Sequence, residues 1–494
     1  MTISRRFPVL ATLTASAFAI SSHASVLEKA PPHTQEPLSQ LIIKYRTDDT
    51  SAKSMRYAQR SGATFGISDA IKAQRLSEVQ KVAQSYGVKM STLRQIATGA
   101  WVYRASKALP LKDMRKLALR LQAGNATIEY AEPDYIRKIA FTPTDPLYSN
   151  GTQWDLMERS AQPGGLNLGA AWDLSTGKNT VVAVLDTGYR PHPDLLPNLV
   201  PAPDGVPGHY GYNFVSSPTS ARVGEPGSNA RRPDGIDLGD WSDGSQCYPS
   251  SSSWHGTHVA GTIAAAANGK GMIGTAFEAK VLPLRVLGQC GGTNSDITDA
   301  IAWASGMSVP NVPYDNTSPA NVVNLSLGGP GSCSRTEAAV IQQALNRGTV
   351  VVVAAGNDNM NAHAFTPANC PGVIAVAATS IKGGRASYSN YGATASVAAP
   401  GGGFLTSTDV IISTLPMGRT VSTDDTTYGG MAGTSQATPH VAGVAALMLS
   451  INPALTPAQV RHLLIQTARP APDNCPGCGA GIVDAAAAVR AAKG

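Results

Sequence analysis

The chain has 494 residues, 43% of them hydrophobic and 15% charged, with a formal net charge of +6. That balance excludes a disordered or fibrous polymer and leaves room for two or three globular domains with large cores. The 49 Gly and 34 Pro imply much loop and many tight turns.

Arg5 and Arg6, an apolar run over 9–20 and then Ser22-His23-Ala24 read as a signal peptide at 1–24. The run is too short for a membrane span, and no later stretch is apolar enough for one. An exported, soluble protein without a membrane role is expected. A Pro-containing linker follows at 30–37. Strands are expected at 41–46, 99–104 and 128–134, with helices at 71–84 and 111–121, making a small α+β domain that ends near Lys138. Residues 141–146 form a second Pro-containing linker.

Residues 25–140 carry 19 Lys and Arg against 10 Asp and Glu, whereas residues 141–494 carry 18 against 23. The basic charges are scattered among apolar residues. This suits docking onto an acidic body of the same chain better than nucleic-acid binding.

The body alternates Val/Ile-rich runs with helical stretches. Strands are expected at 181–185, 280–287, 322–326, 349–357 and 373–377, with helices at 296–306 and 334–347 and an Ala-rich one at 483–492. Such alternation predicts an α/β fold with a parallel sheet covered by helices on both faces. Ligands bind such sheets beyond the carboxyl ends of the strands, where Asp186, Ser326 and Asn357 fall.

All six Cys follow position 246. In an oxidising compartment they imply three disulfides, with 15 pairings open. Cys475-Pro-Gly-Cys478 also has the spacing of a zinc or redox motif, but a short-loop disulfide is expected there. Cys247 is expected to pair with Cys290, and Cys333 with Cys370.

Within YGGMAGTSQATPHVAGVAALMLS, from Tyr428 to Ser450, Ser435 sits on a Gly- and Ala-rich platform before a run that is apolar almost all round. Pro439 is expected in the first turn of that buried helix. A hydroxyl at such a helix start faces free N–H groups that favour developing negative charge. The alternative is a simple N-cap. Asp186 before Thr-Gly suits a turn, and His255 with His258 suits metal ligands. Together with the Asn357 amide, however, these residues supply the nucleophile, base, orienting carboxylate and oxyanion donor of acyl transfer.

The blocks VAVLDTG, HGTHVAGT, VVNLSLGG, VVAAGN and GTSQATPHVAG resemble, in order and spacing, the signature blocks of the subtilisin-like serine proteases. The likeness runs over roughly 153–489, and the order Asp, His, Ser is that of subtilisin. The resemblance implies a secreted serine endopeptidase working through an acyl-enzyme, with Ser435 as nucleophile, His255 as base and Asp186 as its orienter. Asn357 and the Ser435 N–H would bind the oxyanion. His258 would be structural.

Ser326, Leu327 and Gly328 would pair with the substrate backbone, and Ala354, Ala355 and Gly356 would wall the pocket for the residue before the cut. That pocket is expected to take a range of apolar side chains, since no buried acid that would demand Arg or Lys is evident. Residues 25–140 would be an inhibitory, chaperone-like propeptide (its domain near 41–138), removed by self-cleavage between Lys138 and Asp145. Residues 141–494 would then be the catalytic domain, a monomer acting on proteins and peptides. Structural calcium would be bound by Asp194, Asn268 and Gln153, with no catalytic metal or organic cofactor. Asp234, Asp237, Asp240 and Asp243 would hold a second ion or form a solvated acidic loop.

Gln436 departs from the Met of many members. Two rival readings are weaker. An esterase needs G-x-S-x-G, but Ala437 stands at the second Gly. An inactive binding protein on the same fold has no need of the complete catalytic set.

Overall fold

The computed structural model describes residues 38–46, 67–135, 141–217, 220, 231–403 and 406–493. The expected signal peptide, the linker at 30–37 and residues 136–140 lie outside the described residues. The chain divides into two compact units, Met1–Lys138 and Ile139–Gly494.

In the first unit, strands β1 (Leu38–Tyr45), β2 (Met90–Gln95), β3 (Trp101–Leu109) and β4 (Ile128–Pro133) form one antiparallel sheet in the order β2-β3-β1-β4. Helices α1 (Asp69–Ala83) and α2 (Leu111–Gly124) belong to the same unit. Helix α2 buries Met114, Leu117, Ala118 and Leu121, a helical spacing that lays one apolar stripe against Leu41, Ile43 and Tyr45 in the core. Strand β2 was not expected from the sequence.

The second unit is built on an eight-stranded sheet. Its strands are β5 (Val181–Asp186), β6 (Tyr212–Asn213), β7 (Arg232–Pro233), β8 (Lys280–Arg285), β9 (Val322–Leu325), β10 (Val350–Ala354), β11 (Ile374–Thr379) and β12 (Val397–Pro400). Their order is β12-β11-β10-β9-β5-β8-β6-β7, and every neighbouring pair except β6–β7 is parallel. Strands β9, β10 and β11 are buried along their whole length, which explains the unbroken Val, Ile and Ala runs.

Two apolar clusters flank the sheet. One contains helices α3 (His255–Ala264) and α6 (Thr434–Ile451); the other contains faces of α4 (Asn294–Ala304) and α5 (Arg335–Asn346). Helices α7 (Pro457–Thr467) and α8 (Ala485–Lys493) follow. Helix α6 is buried almost all round, as its composition requires. A hairpin, β13 (Ile411–Thr414) with β14 (Tyr428–Met431), leads into α6. Among the described residues no helix is long and apolar enough to cross a membrane.

Three disulfides, Cys247–Cys290, Cys333–Cys370 and Cys475–Cys478, account for every cysteine. The C-x-x-C pair is thus a covalent turn rather than a zinc site.

Candidate active site

Strand β5 ends at Asp186, whose side chain is fully buried. Its Oδ1 accepts from the Thr187 N–H at 2.8 Å, and both its oxygens face His255 Nδ1, at 2.8 and 2.9 Å. His255 is the first residue of α3, because Trp254 takes a left-handed φ of 53° and turns the chain into the helix. Burial alone would lower the His255 pKa. The Asp186 charge and hydrogen bond, joined by Asp240 and Asp237, outweigh it and leave the imidazole above its ordinary value. With Nδ1 committed to Asp186, Nε2 is the ring nitrogen left for a substrate-side proton.

Ser435 is the second residue of α6 and, with His255, lines a cleft of about 1010 Å³. The N-cap is Gly433, so Ser435 lies inside the helix rather than capping it. Its Oγ donates to the Ser326 carbonyl at 3.1 Å. Among the described residues its N–H has no protein acceptor, as expected for a first-turn donor. Pro439 is the sixth helical residue, one turn later than the sequence suggested. It lacks the N–H that would meet the Ser435 carbonyl, and the Ser326 hydroxyl donates to that carbonyl instead, at 2.8 Å.

Asn357 Oδ1 accepts both the Thr434 N–H (2.8 Å) and the Thr434 hydroxyl (2.9 Å). That assigns the amide orientation and leaves Nδ2 for the cleft. His258, in contrast, is fully buried. Burial pushes its pKa down to about 3, and the neutral ring donates from Nε2 to the Ile411 carbonyl at 3.0 Å. Gln436 is buried, and its amide meets the Met431 sulfur at 3.6 Å.

Ser326, Leu327, Gly328, Ala354 and Gly356 all line the cleft. Ala355 does not: it is fully buried between two residues that face the other way, as alternation requires. Gly356 has φ +104°, and a Cβ there would come within 2.2 Å of the Asn390 amide and 2.9 Å of the Phe365 ring. A Cβ on Gly328 would meet the same ring at 2.4 Å. Phe365 therefore sits between the two expected walls of the pocket.

Sequence reasoning missed Phe365. It also missed Leu287, Gly292 and Tyr248 on the cleft, although the Cys247–Cys290 pairing carried the signal that the loop of Tyr248 lies near the end of β8. One buried acid does reach the cleft, but not one that would demand Arg or Lys. Glu337, 8% exposed, lines the cleft, but its Oε2 is engaged by the Ser334 N–H (2.8 Å) and the Thr366 hydroxyl (3.1 Å). It closes the capping box of α5.

The expected metal ligands fall around one loop. Asp194 accepts from Asn268 Nδ2 (2.9 Å), the Tyr428 hydroxyl (2.6 Å) and the Met272 N–H (3.3 Å). The Gln153 amide is paired twice with the Ile273 backbone, and Asp145 accepts from the Asn268 and Gly269 N–H groups. Asp145 and Asp194 are each 1% exposed, and among the described residues neither is in an ion pair with Lys or Arg.

Asp234, Asp237, Asp240 and Asp243 do not gather into an ion site. Each is tied to its own donor: the Tyr189 hydroxyl, the Thr187 hydroxyl, Ser253 and the Ser245 N–H. Among the described residues the one cluster of three potential metal ligands is Cys333, Glu337 and Cys370, where the two sulfurs are bonded to each other.

The description of the subtilase family matches residues 177–481. An extracellular protease of Xanthomonas campestris pv. campestris is 44% identical over 466 residues, covering 93% of this chain and 74% of that relative. An extracellular basic protease of Dichelobacter nodosus is 37% identical over 473 residues, covering 92% and 74%. A solved protease structure from Pseudoalteromonas arctica is 48% identical with a TM-score of 0.66, covering 71% of this chain and all of that one.

Proposed function

The chain belongs to the subtilase family and is a serine endopeptidase, and from that premise we propose that Asp186, His255 and Ser435 are its catalytic triad. Ser435 Oγ attacks the peptide carbonyl while His255 Nε2 takes its proton. The same proton passes to the leaving amine, and water then releases the acyl group by the reverse sequence. Asp186 holds the ring in the tautomer with hydrogen on Nδ1 and stabilises the imidazolium. Asn357 Nδ2 and the Ser435 N–H bind the tetrahedral oxyanion. The observation that carries this reading is the fully buried Asp186 held 2.8 Å from His255 Nδ1, at the wall of a cleft that also contains Ser435.

The substrate lies along Ser326–Leu327–Gly328 as an added strand. Phe365 limits the pocket between Gly328 and Gly356, so small apolar residues before the cut are favoured. Calcium is a structural cofactor. Asp194, with the oxygens of Asn268 and Gln153 and carbonyls of the 268–273 loop, would hold it. Two buried carboxylates without a basic partner, Asp145 and Asp194, support that fit. The ion would supply charge compensation and loop rigidity, not a catalytic step.

The protein acts outside the cell as a monomer and is made as a zymogen. Residues 25–140 restrain it until self-cleavage between Lys138 and Asp145. Intact mass and casein hydrolysis of the secreted wild type and Ser435→Ala test this. Wild type should lose the N-terminal segment and digest casein, and the variant should do neither. A variant that digests casein would overturn the assignment.

A further inference from the structure

We propose that the mature chain begins at Phe141 and that its new α-ammonium is paired with Asp173. The proposal deepens the processing reading above and rests on it. The Phe141 ring stacks on Phe277 with centroids 4.9 Å apart and meets Trp172 edge-on at 6.2 Å. Tyr148 packs on the same Trp172 at 5.4 Å. Such aromatic pairs add binding beyond the area they bury. The residue is thus docked by its ring onto its own unit, close to where that unit begins at Ile139.

The docked ring aims the backbone nitrogen at a carboxylate. Phe141 N donates to Asp173 Oδ1 at 3.0 Å. Among the described residues Asp173 has no Lys or Arg partner. While residue 140 is attached, this bond joins a neutral amide to a charged acceptor.

Cleavage of the Ala140–Phe141 bond changes that. None of Trp172, Asp173 and Phe277 lines the cleft of Ser435, so the bond is cut while Phe141 is away from this dock, and the new terminus then settles onto it. The acyl group of residue 140 passes to Ser435 Oγ, and the Phe141 nitrogen takes the proton from His255 and departs as an amine. Water then hydrolyses the ester, leaving a carboxylate on residue 140 and restoring Ser435. At neutral pH the amine takes up one more proton, and the same nitrogen becomes a cation in direct contact with Asp173. Its hydrogen bond is then charge-assisted at both ends.

Only this cut gives both contacts. One residue earlier, the Phe141 nitrogen remains a neutral amide. One residue later, the ring leaves with the removed segment. Ala140 is also a small apolar residue, suited to a pocket limited by Phe365. Two other ionisable groups lie on the packed elements. Glu278, beside Phe277, accepts from the Thr176 hydroxyl, and the Tyr148 hydroxyl is pushed up by burial and by Glu158.

The test uses the full-length chain, secreted and allowed to mature. N-terminal sequencing and intact mass should read Phe141 as the first residue; any other first residue overturns the proposal. The α-amine is then dimethylated with 13C-formaldehyde and its resonance titrated. The expected titration lies above the ordinary α-amino range of about 7.7–8.0 in wild type and returns to it in Asp173→Asn. Asp173→Glu should restore the upward shift, which separates the pair from general damage. Equal titrations in wild type and Asp173→Asn overturn it. A Ser435→Ala chain that still matures to Phe141 would remove self-cleavage from the account while supporting Phe141 as the start.

Discussion

Ser326 and Ser435 exchange hydrogen bonds: the Ser326 hydroxyl donates to the Ser435 carbonyl at 2.8 Å, and the Ser435 hydroxyl donates to the Ser326 carbonyl at 3.1 Å. The first bond exists because Pro439 withdraws the helical donor that the Ser435 carbonyl would otherwise meet. The segment proposed to bind substrate is therefore tied to the nucleophile. Ser326→Ala should leave the Ser435 carbonyl without its donor and lower kcat/KM by about 10-fold, the scale of one unmade buried hydrogen bond. Steady-state kinetics on a peptide amide check this; unchanged kcat/KM would show that the exchange does not matter.

The charges around His255 set the acid limit of activity. General-base action needs the neutral ring, so activity falls as pH drops through the imidazole pKa. Burial lowers that pKa, but Asp186, joined by Asp240, outweighs it, so the acid limb of kcat/KM should lie above the ordinary value of 6.5; Asp237, itself pushed up to about 7 by burial, adds little charge there. Asp240→Asn removes one negative charge and should move the limb to lower pH. A limb that stays in place, or moves upward, contradicts this electrostatic assignment.

Phe365 is the predicted size filter. Its ring occupies the space next to Gly328 and Gly356, so Phe365→Ala should enlarge the pocket. Relative kcat/KM for substrates with Phe rather than Ala before the cut should rise by about 10-fold or more, the discrimination that a few methylenes of pocket volume provide. Parallel assays of the two substrates read the ratio. An unchanged ratio would place the size limit elsewhere.

Calcium should stabilise the 268–273 loop. Chelation is expected to lower Tm by several degrees, because a ligand present at 100 times its Kd contributes about 2.7 kcal/mol. Asp194→Asn should lower Tm without a chelator and blunt the response to one. Thermal melts with and without EDTA decide it. Equal wild-type Tm in both would mean that the Asp194 network holds the loop without an ion.

Much of the second unit was legible because its sheet is buried on both faces. Strands β5, β8, β9, β10 and β11 announce themselves as short, mostly apolar runs rich in Val, Leu and Ala, and Asp186 and Ser326 stand just where two of those runs end. Strand β2 was not legible: only Met90 is buried along it, so no alternation marks its sequence. The four-residue β12 was too short to stand out. Helix α7 was missed despite a usable signal, the capping box of Thr456 and Gln459 with Pro457 at the first position.

At the site, Asp186, His255 and Asn357 could be named from local motifs because each lies at an element end. Ala355 shares its motif with two cleft residues, but its side chain is fully buried and does not line the cleft. Phe365 could not be found, since its place depends on the pairing of Pro330 with Phe365, two residues far apart in sequence. The sealing of Glu337 by Ser334 and Thr366 is equally a tertiary fact.

Covalent labelling decides whether Ser435 is the nucleophile. The mature protein would be treated with a fluorophosphonate, and the modified peptide located by mass spectrometry while casein hydrolysis is followed. One label per chain is expected, on Ser435, with activity lost in proportion to labelling. Labelling elsewhere, or full activity in a chain labelled at Ser435, would contradict it.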